Sequence, residues 1–444
     1  MTAVKEQQDV YLSAFQADQK AFTGPSWLGK IRRAAMERFA ELGFPTTRQE
    51  EWRFTNVAPI AKVPFELAQA PKDGAALGKL SSLATADLGC DRLVFVNGRF
   101  SRELSSLSEL AKRVKACSLS EALAAGTPSL EQHLARHAPF ENHAFVALNT
   151  AFSQDGAYIE IPKGLVLEKP IHLLHVTAAN GRASVAHPRN LVIAGSESQG
   201  TVIEGYLALD NGTYLTNAVS EVVVGENAAL HYCRLQQDSE QAYHFGALHV
   251  RLGRDANVTT HSLGLGAALA RQEVTAVLDG EGAEAQLNGL YVVNGRQHID
   301  NYTTLDHVKA HTASREFYKG VLDGKSSGVF HGRIIVRPGA QKTDAKQSNK
   351  NLLLSDDATI NTKPQLEIYA DDVKCTHGAT VGQIDPEAIF YLRSRGIGKD
   401  EARQMLTYAF ANEIIGRLKC ARLAERLEDA IFARLGVGPR REGL

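Results

Sequence analysis

Between residues 140 and 384 short β-type runs alternate with turns, and sustained helical periodicity is hard to find. The runs include Tyr158–Ile161, Ile171–Val176, Asn190–Ile193, Glu221–Val224, Arg333–Val336 and Gln365–Tyr369, separated by Gly, Asn and Asp. The turns carry a weak repeat. Gly225-Glu226-Asn227-Ala228, Gly253-Arg254-Asp255-Ala256 and Gly280-Glu281-Gly282-Ala283 recur at spacings of 28 and 27 residues. His311-Thr312-Ala313 and Pro338-Gly339-Ala340 continue the beat approximately. All-β units of this length bury their apolar faces against one another, which predicts a solenoid, here a parallel β-helix. A large antiparallel sandwich has strands at similar spacing, and periodicity alone leaves it open.

The flanks read as helix. Trp27, Leu28, Ile31, Ala35, Phe39 and Leu42 recur at helical spacing, with Ser26 as N-cap and Gly43 and Pro45 as the stop. Residues 72–92, rich in Ala, Gly and Ser, read as a loop before the strand candidate Leu93–Asn97 and short helical patterns such as Ser129–His137. Beyond the β region, Asp385 is an N-cap with Pro386 at the first helical position, and Gly396 a stop. Ala402, Met405, Leu406, Ala409, Phe410, Ile414 and Leu418 mark one apolar face; Leu423, Leu427, Ile431 and Leu435 mark another. The expected organisation is an N-terminal helical domain over 1–139, a β-helix core over 140–384 and a C-terminal helical domain over 385–444. Those last helices would cap the solenoid or offer a docking surface.

A net charge of −1 over 444 residues gives no global electrostatic reason to expect nucleic acid or an anionic membrane as partner. No run approaches the roughly 18 apolar residues of a membrane span. The start, MTAVKEQQDVYLSAFQADQKAF, lacks a charged n-region and an apolar h-region, so no signal peptide is expected and the cytoplasm is the expected location. Cys90, Cys117, Cys233, Cys375 and Cys420 are scattered, odd in number and without a C-x-x-C pair. That speaks against a disulfide framework and against a self-contained zinc or cluster site.

Candidate chemistry is sparse. Gly320-Val321-Leu322-Asp323-Gly324-Lys325-Ser326 comes near a P-loop, which needs four residues between its glycines so that successive N–H groups surround phosphates. Here there are three, and Gly328 to Val336 reads as strand, so ATP binding is not expected. Neither G-x-G-x-x-G nor G-x-S-x-G occurs. His307 and His311, four apart, would share one face of an extended strand and could hold a metal there; surface or rung-lining histidines are the commoner reading. His172 and His175 fall on opposite faces of a strand. In Asp371-Asp372-Val373-Lys374-Cys375-Thr376-His377-Gly378-Ala379, Cys375 and His377 would project to one side, within reach of one ion. Lys374 could depress the thiol pKa. One Cys and one His at a strand end are more often structural, and a cluster site commonly takes four protein ligands, mostly thiolates. If this pair works on iron and sulfur, the missing ligands come from another chain. A β-helix carbohydrate lyase or hydrolase would need clustered carboxylates, and none is evident.

The segment Pro364-Gln365-Leu366-Glu367-Ile368-Tyr369-Ala370-Asp371-Asp372-Val373-Lys374-Cys375-Thr376-His377-Gly378-Ala379-Thr380 is strongly similar to the signature of the SufB/SufD family of iron–sulfur cluster assembly scaffolds. Ile389-Phe390-Tyr391-Leu392-Arg393-Ser394-Arg395-Gly396-Ile397, Phe145-Val146-Ala147-Leu148-Asn149 with Asp155-Gly156, and Gln341-Lys342-Thr343-Asp344-Ala345-Lys346-Gln347 extend the match. Together they span about residues 140–418, and Glu50-Glu51-Trp52-Arg53 matches more loosely. Gly378, where the SufB pattern has a glutamate, and the helical N-terminal region resemble the SufD branch. The resemblance implies a right-handed parallel β-helix flanked by helical domains, with no stand-alone catalysis. It implies assembly with SufB through the β-helices and with two copies of the ATPase SufC at the C-terminal helices, where Phe390, Tyr391, Met405, Leu406 and Phe410 are the expected contacts. It further implies a transient iron–sulfur cluster shared with SufB, with His377 as candidate iron ligand and Cys375 as auxiliary ligand or redox-responsive partner. A reduced flavin belongs to the complex as a whole. The isolated chain could pair with itself. A purely structural role, with Cys375 and His377 inert, is the rival within the family.

Overall fold

The computed structural model describes residues 11–19, 22, 24–69, 88–107, 113–179 and 181–434. Its centre is a parallel β-solenoid of about eight turns built from two sheets. Successive strands alternate between the sheets, and each pairs in parallel with the strand two places along the chain. The first sheet contains Ala157–Ile161, Arg189–Ala194, Tyr214–Val224, Tyr243–Leu252, Leu269–Leu278, His298–His307, Ser327–Val336 and Thr359–Ile368. The second contains Asp91–Val96, Ile171–Thr177, Gln199–Ala208, Ala229–Gln237, Asn257–Gly264, Glu284–Val293, Ala313–Leu322, Asp344–Leu353 and Lys374–Gly382. The sandwich alternative is therefore excluded by strand direction.

The turn repeat sets the register. Ala229 pairs with Asn257 and Asn257 with Glu284, steps of 28 and 27 residues that match the glycine spacings. One residue per corner takes left-handed backbone: Asn227, Asp255, Gly282, His311 and Lys342, with φ between 51° and 74°. That conformation folds the chain back tightly, and Asn, Asp and Gly tolerate it best. Ala228, Ala256 and Ala283 fill the inside of the corner and are fully buried. Buried Thr312 and Thr343 follow the left-handed residue in the later turns, and Ala340, also fully buried, lies in the same corner as Thr343. Ala313 pairs with Asp344, 31 residues on, because the later turn is longer.

Helix Ser26–Leu42 begins at Ser26 itself, with Pro25 before it and no side-chain cap bond; Gly43, at φ 64°, ends it as expected. It packs with helix Ala144–Phe152 on the outer face of the first sheet, where Phe145 stacks on Phe245 at 3.7 Å. Part of the loop expected over residues 72–92 lies outside the described residues. The helix expected over Ser129–His137 spans only Pro128–His133, because Ala135 turns left-handed. That turn points the N–H groups of Ala135, Arg136, His137 and Ala138 at the buried carboxylate of Glu221, at 2.7–3.1 Å. Arg189, also buried, donates to the same carboxylate at 2.7 Å and to Asn149 and Thr150. Burial raises the Glu221 pKa, but Arg189 and these N–H groups outweigh it and hold the carboxyl below its usual range.

At the other end, Asp385 accepts from the Glu387 N–H and starts helix Pro386–Arg393. Helices Lys399–Ile415 and Ala421–Arg434 lie along the outer face of the second sheet, not over its end. Ala411, Ile414, Ile415, Leu423, Leu427 and Ile431 cover Leu235, Leu263, Leu290 and Val321. The buried stripe of Lys399–Ile415 runs through Ala402, Thr407, Ala411 and Ile414, while Ala409 is exposed. The expected face is thus rotated. The helix touches the sheet on one side and the last helix on another, with Tyr408 stacked on Phe432, so its apolar residues are divided. Leu435 lies outside the described residues.

Candidate functional site at the open end of the solenoid

The last turn is left uncovered. Among the described residues Thr359–Ile368 pairs only with Ser327–Val336, and Lys374–Gly382 only with Asp344–Leu353. Two parallel edges therefore stand side by side with unpaired main-chain groups, a template for another strand. Ile368, Tyr369, Val381, Phe390 and Tyr391 are exposed here, and Phe390 at 72% is the most open large apolar side chain among the described residues.

Cys375 and His377 occupy alternate positions of the strand Lys374–Gly382 and share its inward face. Cys375 follows the column of buried Ala345 and is half-buried against the core; His377 follows Gln347 and is exposed at the mouth. Burial pushes the Cys375 thiol up, with the Ala345 backbone bond opposing and Asp344 reinforcing. Lys374 is not the thiol activator the sequence suggests, since adjacent residues of a strand face opposite ways. Among the described residues no group of three or more His, Cys, Asp or Glu side chains is arranged to hold a metal.

The other candidates separate. His307 ends a strand, buried, between Thr312 at 2.8 Å and Ser314 at 2.9 Å; His311 sits in the next corner at φ 58° and is exposed. The corner reverses the chain between them, so they do not share a face. Both His172 and His175 are buried. Gly320 lies within a strand under the Tyr291 ring, Gly324 turns at φ 65°, and a strand follows at Ser327. Lys325 is 70% exposed. Phe390 and Tyr391 lie on the helix that leaves the open end, with Arg395 over the Tyr391 ring at 4.6 Å. Met405, Leu406 and Phe410 are half-buried, and Phe410 meets the solenoid through Lys319, which donates to its carbonyl at 2.9 Å and pairs with Glu413.

Behind His377 lies a residue that sequence reading overlooked. Glu316 is buried inside the solenoid, between Leu287 and Gln347 in register, and accepts from Gln347 at 2.6 Å. Burial raises its pKa to about 7, opposed by Thr303 and Gln347. An unfolded glutamate ionises near 4.3. Wild-type stability should therefore fall relative to Glu316→Gln as pH rises from about 4.5 to about 7, by up to about 3 kcal/mol. Urea midpoints at pH 4.5 and 8 for both proteins check this, and a pH-independent difference would contradict it. Nothing local marks Glu316, which becomes visible only once the columns are in register.

The fold and its open end define a parallel β-solenoid with two strand edges at one mouth and a cysteine and a histidine on the inward face of its last strand. Residues 175–410 match the SUF system FeS cluster assembly SufBD core domain, and residues 5–173 the SufBD protein N-terminal region. The chain is 33% identical over 408 residues to the iron–sulfur cluster assembly protein SufD of Escherichia coli (strain K12), covering 90% of each. It is 33% identical to an iron–sulfur cluster assembly SufBD family protein of Synechocystis, over 93% of this chain and 92% of that one. With SufD of Bacillus subtilis (strain 168) the identity is 28%, over 95% and 96%. The chain belongs to the SufBD family and has that family's role in iron–sulfur cluster assembly. No described helix is long and apolar enough to cross a membrane.

Proposed function

We propose that this chain is a non-catalytic scaffold subunit, in the cytoplasm, that completes a cluster-assembly junction with a second β-solenoid, SufB. The observation that carries this reading is the open end: two unpaired parallel edges with Cys375 and His377 on the inward face of the last strand. A partner of similar cross-section would continue both sheets by strand addition and bring its own thiolates to the mouth. The imidazole of His377 suits ferrous iron, and Cys375 is the auxiliary ligand, losing its proton only when a metal binds. Iron and sulfide are cargo here; a reduced flavin would belong to the complex. The ATPase SufC would dock on the C-terminal helices at exposed Phe390 and Tyr391, with Met405, Leu406 and Phe410 beside them. Its nucleotide cycle would pull those helices and open the junction.

Ile368 and Val381 are 42% and 48% exposed, so charging them is expected to leave the chain folded. The double variant Ile368→Lys, Val381→Asp is expected to weaken SufB binding at least about tenfold, as loss of central apolar interface contacts does. Co-purification and subunit stoichiometry measure this; an unchanged SufB complex would sink the proposed junction.

A further inference from the structure

The inward face of the second sheet is polar over several successive turns. Arg234 is buried, with one N–H donated to the Glu273 carbonyl at 3.1 Å and its Nε and Nη1 without a hydrogen-bond partner among the described residues. Gln272, buried beside it on the first sheet, has both amide atoms unpartnered among the described residues. Nearer the open end Ser262 faces Tyr318 and Thr303 faces Glu316. Gln347 bonds Glu316, keeps its own Oε1 unpartnered, and stands in register with His377. Three glycines let these side chains pack across the interior. A Cβ at Gly246 would crowd Arg234 and Gln272, one at Gly289 the Tyr318 ring, and one at Gly332 the Gln347 amide. Buried polar atoms that the chain leaves unpaired are satisfied by ordered water.

We propose that this row is a water-lined proton-exchange lane inside the solenoid, in which Glu316 holds the proton and Gln347 opens onto the mouth at His377. The lane takes its purpose from the proposed assembly junction, on which this part of the inference rests. A thiol that ligates iron loses its S–H proton as the sulfur–metal bond forms. That proton adds to the Glu316 carboxylate, giving the carboxylic acid, and then leaves to solvent through water and hydroxyls. Leu287 and Gln347 flank Glu316 on its own sheet and Thr303 faces it from the other. Tyr318 is its titratable neighbour, raised by burial first and by Glu316 second, and Arg234 lies beyond.

Infrared difference titration of the full-length chain, without partners, tests the lane. A carboxylic-acid band that titrates near neutral pH is expected, lost in the isosteric variant Glu316→Gln. On transfer to D₂O this band should shift at least about tenfold faster than the most protected core amides exchange, since those open only with global unfolding. Absence of the band, or deuterium uptake as slow as those amides, would overturn the proposal. The readout needs no cluster, so the lane stands if Glu316 titrates and exchanges even where His377→Ala leaves cluster content unchanged; that second result counts against the junction alone.

Discussion

His377→Ala is expected to leave the chain folded and the complex assembled while removing most of its iron and acid-labile sulfide. The side chain is exposed at the mouth, so its loss opens no cavity and costs within about 0.5 kcal/mol of stability. An iron ligand at this position should matter by about tenfold or more, because even outer-shell partners of ligands change metal affinity that much. Cys375→Ala should give a milder loss, since the principal thiolates are expected from SufB. The matched control is His311→Ala, exposed in a corner and remote from the mouth, which should change nothing. His307→Ala is a poor control: it breaks two buried hydrogen bonds and destabilises the turn. The measurement is iron and sulfide per complex beside subunit stoichiometry. Wild-type cluster content in an intact His377→Ala complex would leave the purely structural role standing.

The largest stability effect is expected at Glu221→Ala. The substitution strands the buried Arg189 guanidinium and unpairs four backbone N–H groups that tie residues 135–138 to the solenoid. Removing one partner of a buried pair costs about 3–5 kcal/mol, because the remaining charge stays desolvated. Arg189→Met with Glu221→Leu should cost less than Glu221→Ala alone. Urea unfolding of the three proteins decides; a loss under about 1 kcal/mol for Glu221→Ala would show that water reaches the site.

Local chemistry determined much of the fold from the sequence alone. The glycine-led turns at 225, 253 and 280 carry the solenoid step, because a left-handed corner needs Asn, Asp or Gly at a set distance from each strand. Gly43 and the Asp385-Pro386 start are local for the same reason. The signature from Pro364 to Thr380 identified the family and marked Cys375 and His377, whose shared face follows from strand alternation. Only the tertiary structure decided which faces are inside. In the middle of a parallel solenoid both faces of a strand are buried, so alternation of polar and apolar residues stops reporting the interior. Arg234, Glu316 and Gln347 look like solvent-facing residues until partners about 30 residues away place them inward. The corner between His307 and His311, the rotated stripe of Lys399–Ile415 and the uncovered last turn were decided the same way. Each depends on where distant segments pack, and a helix or strand divided between two neighbours carries no single periodic face to read.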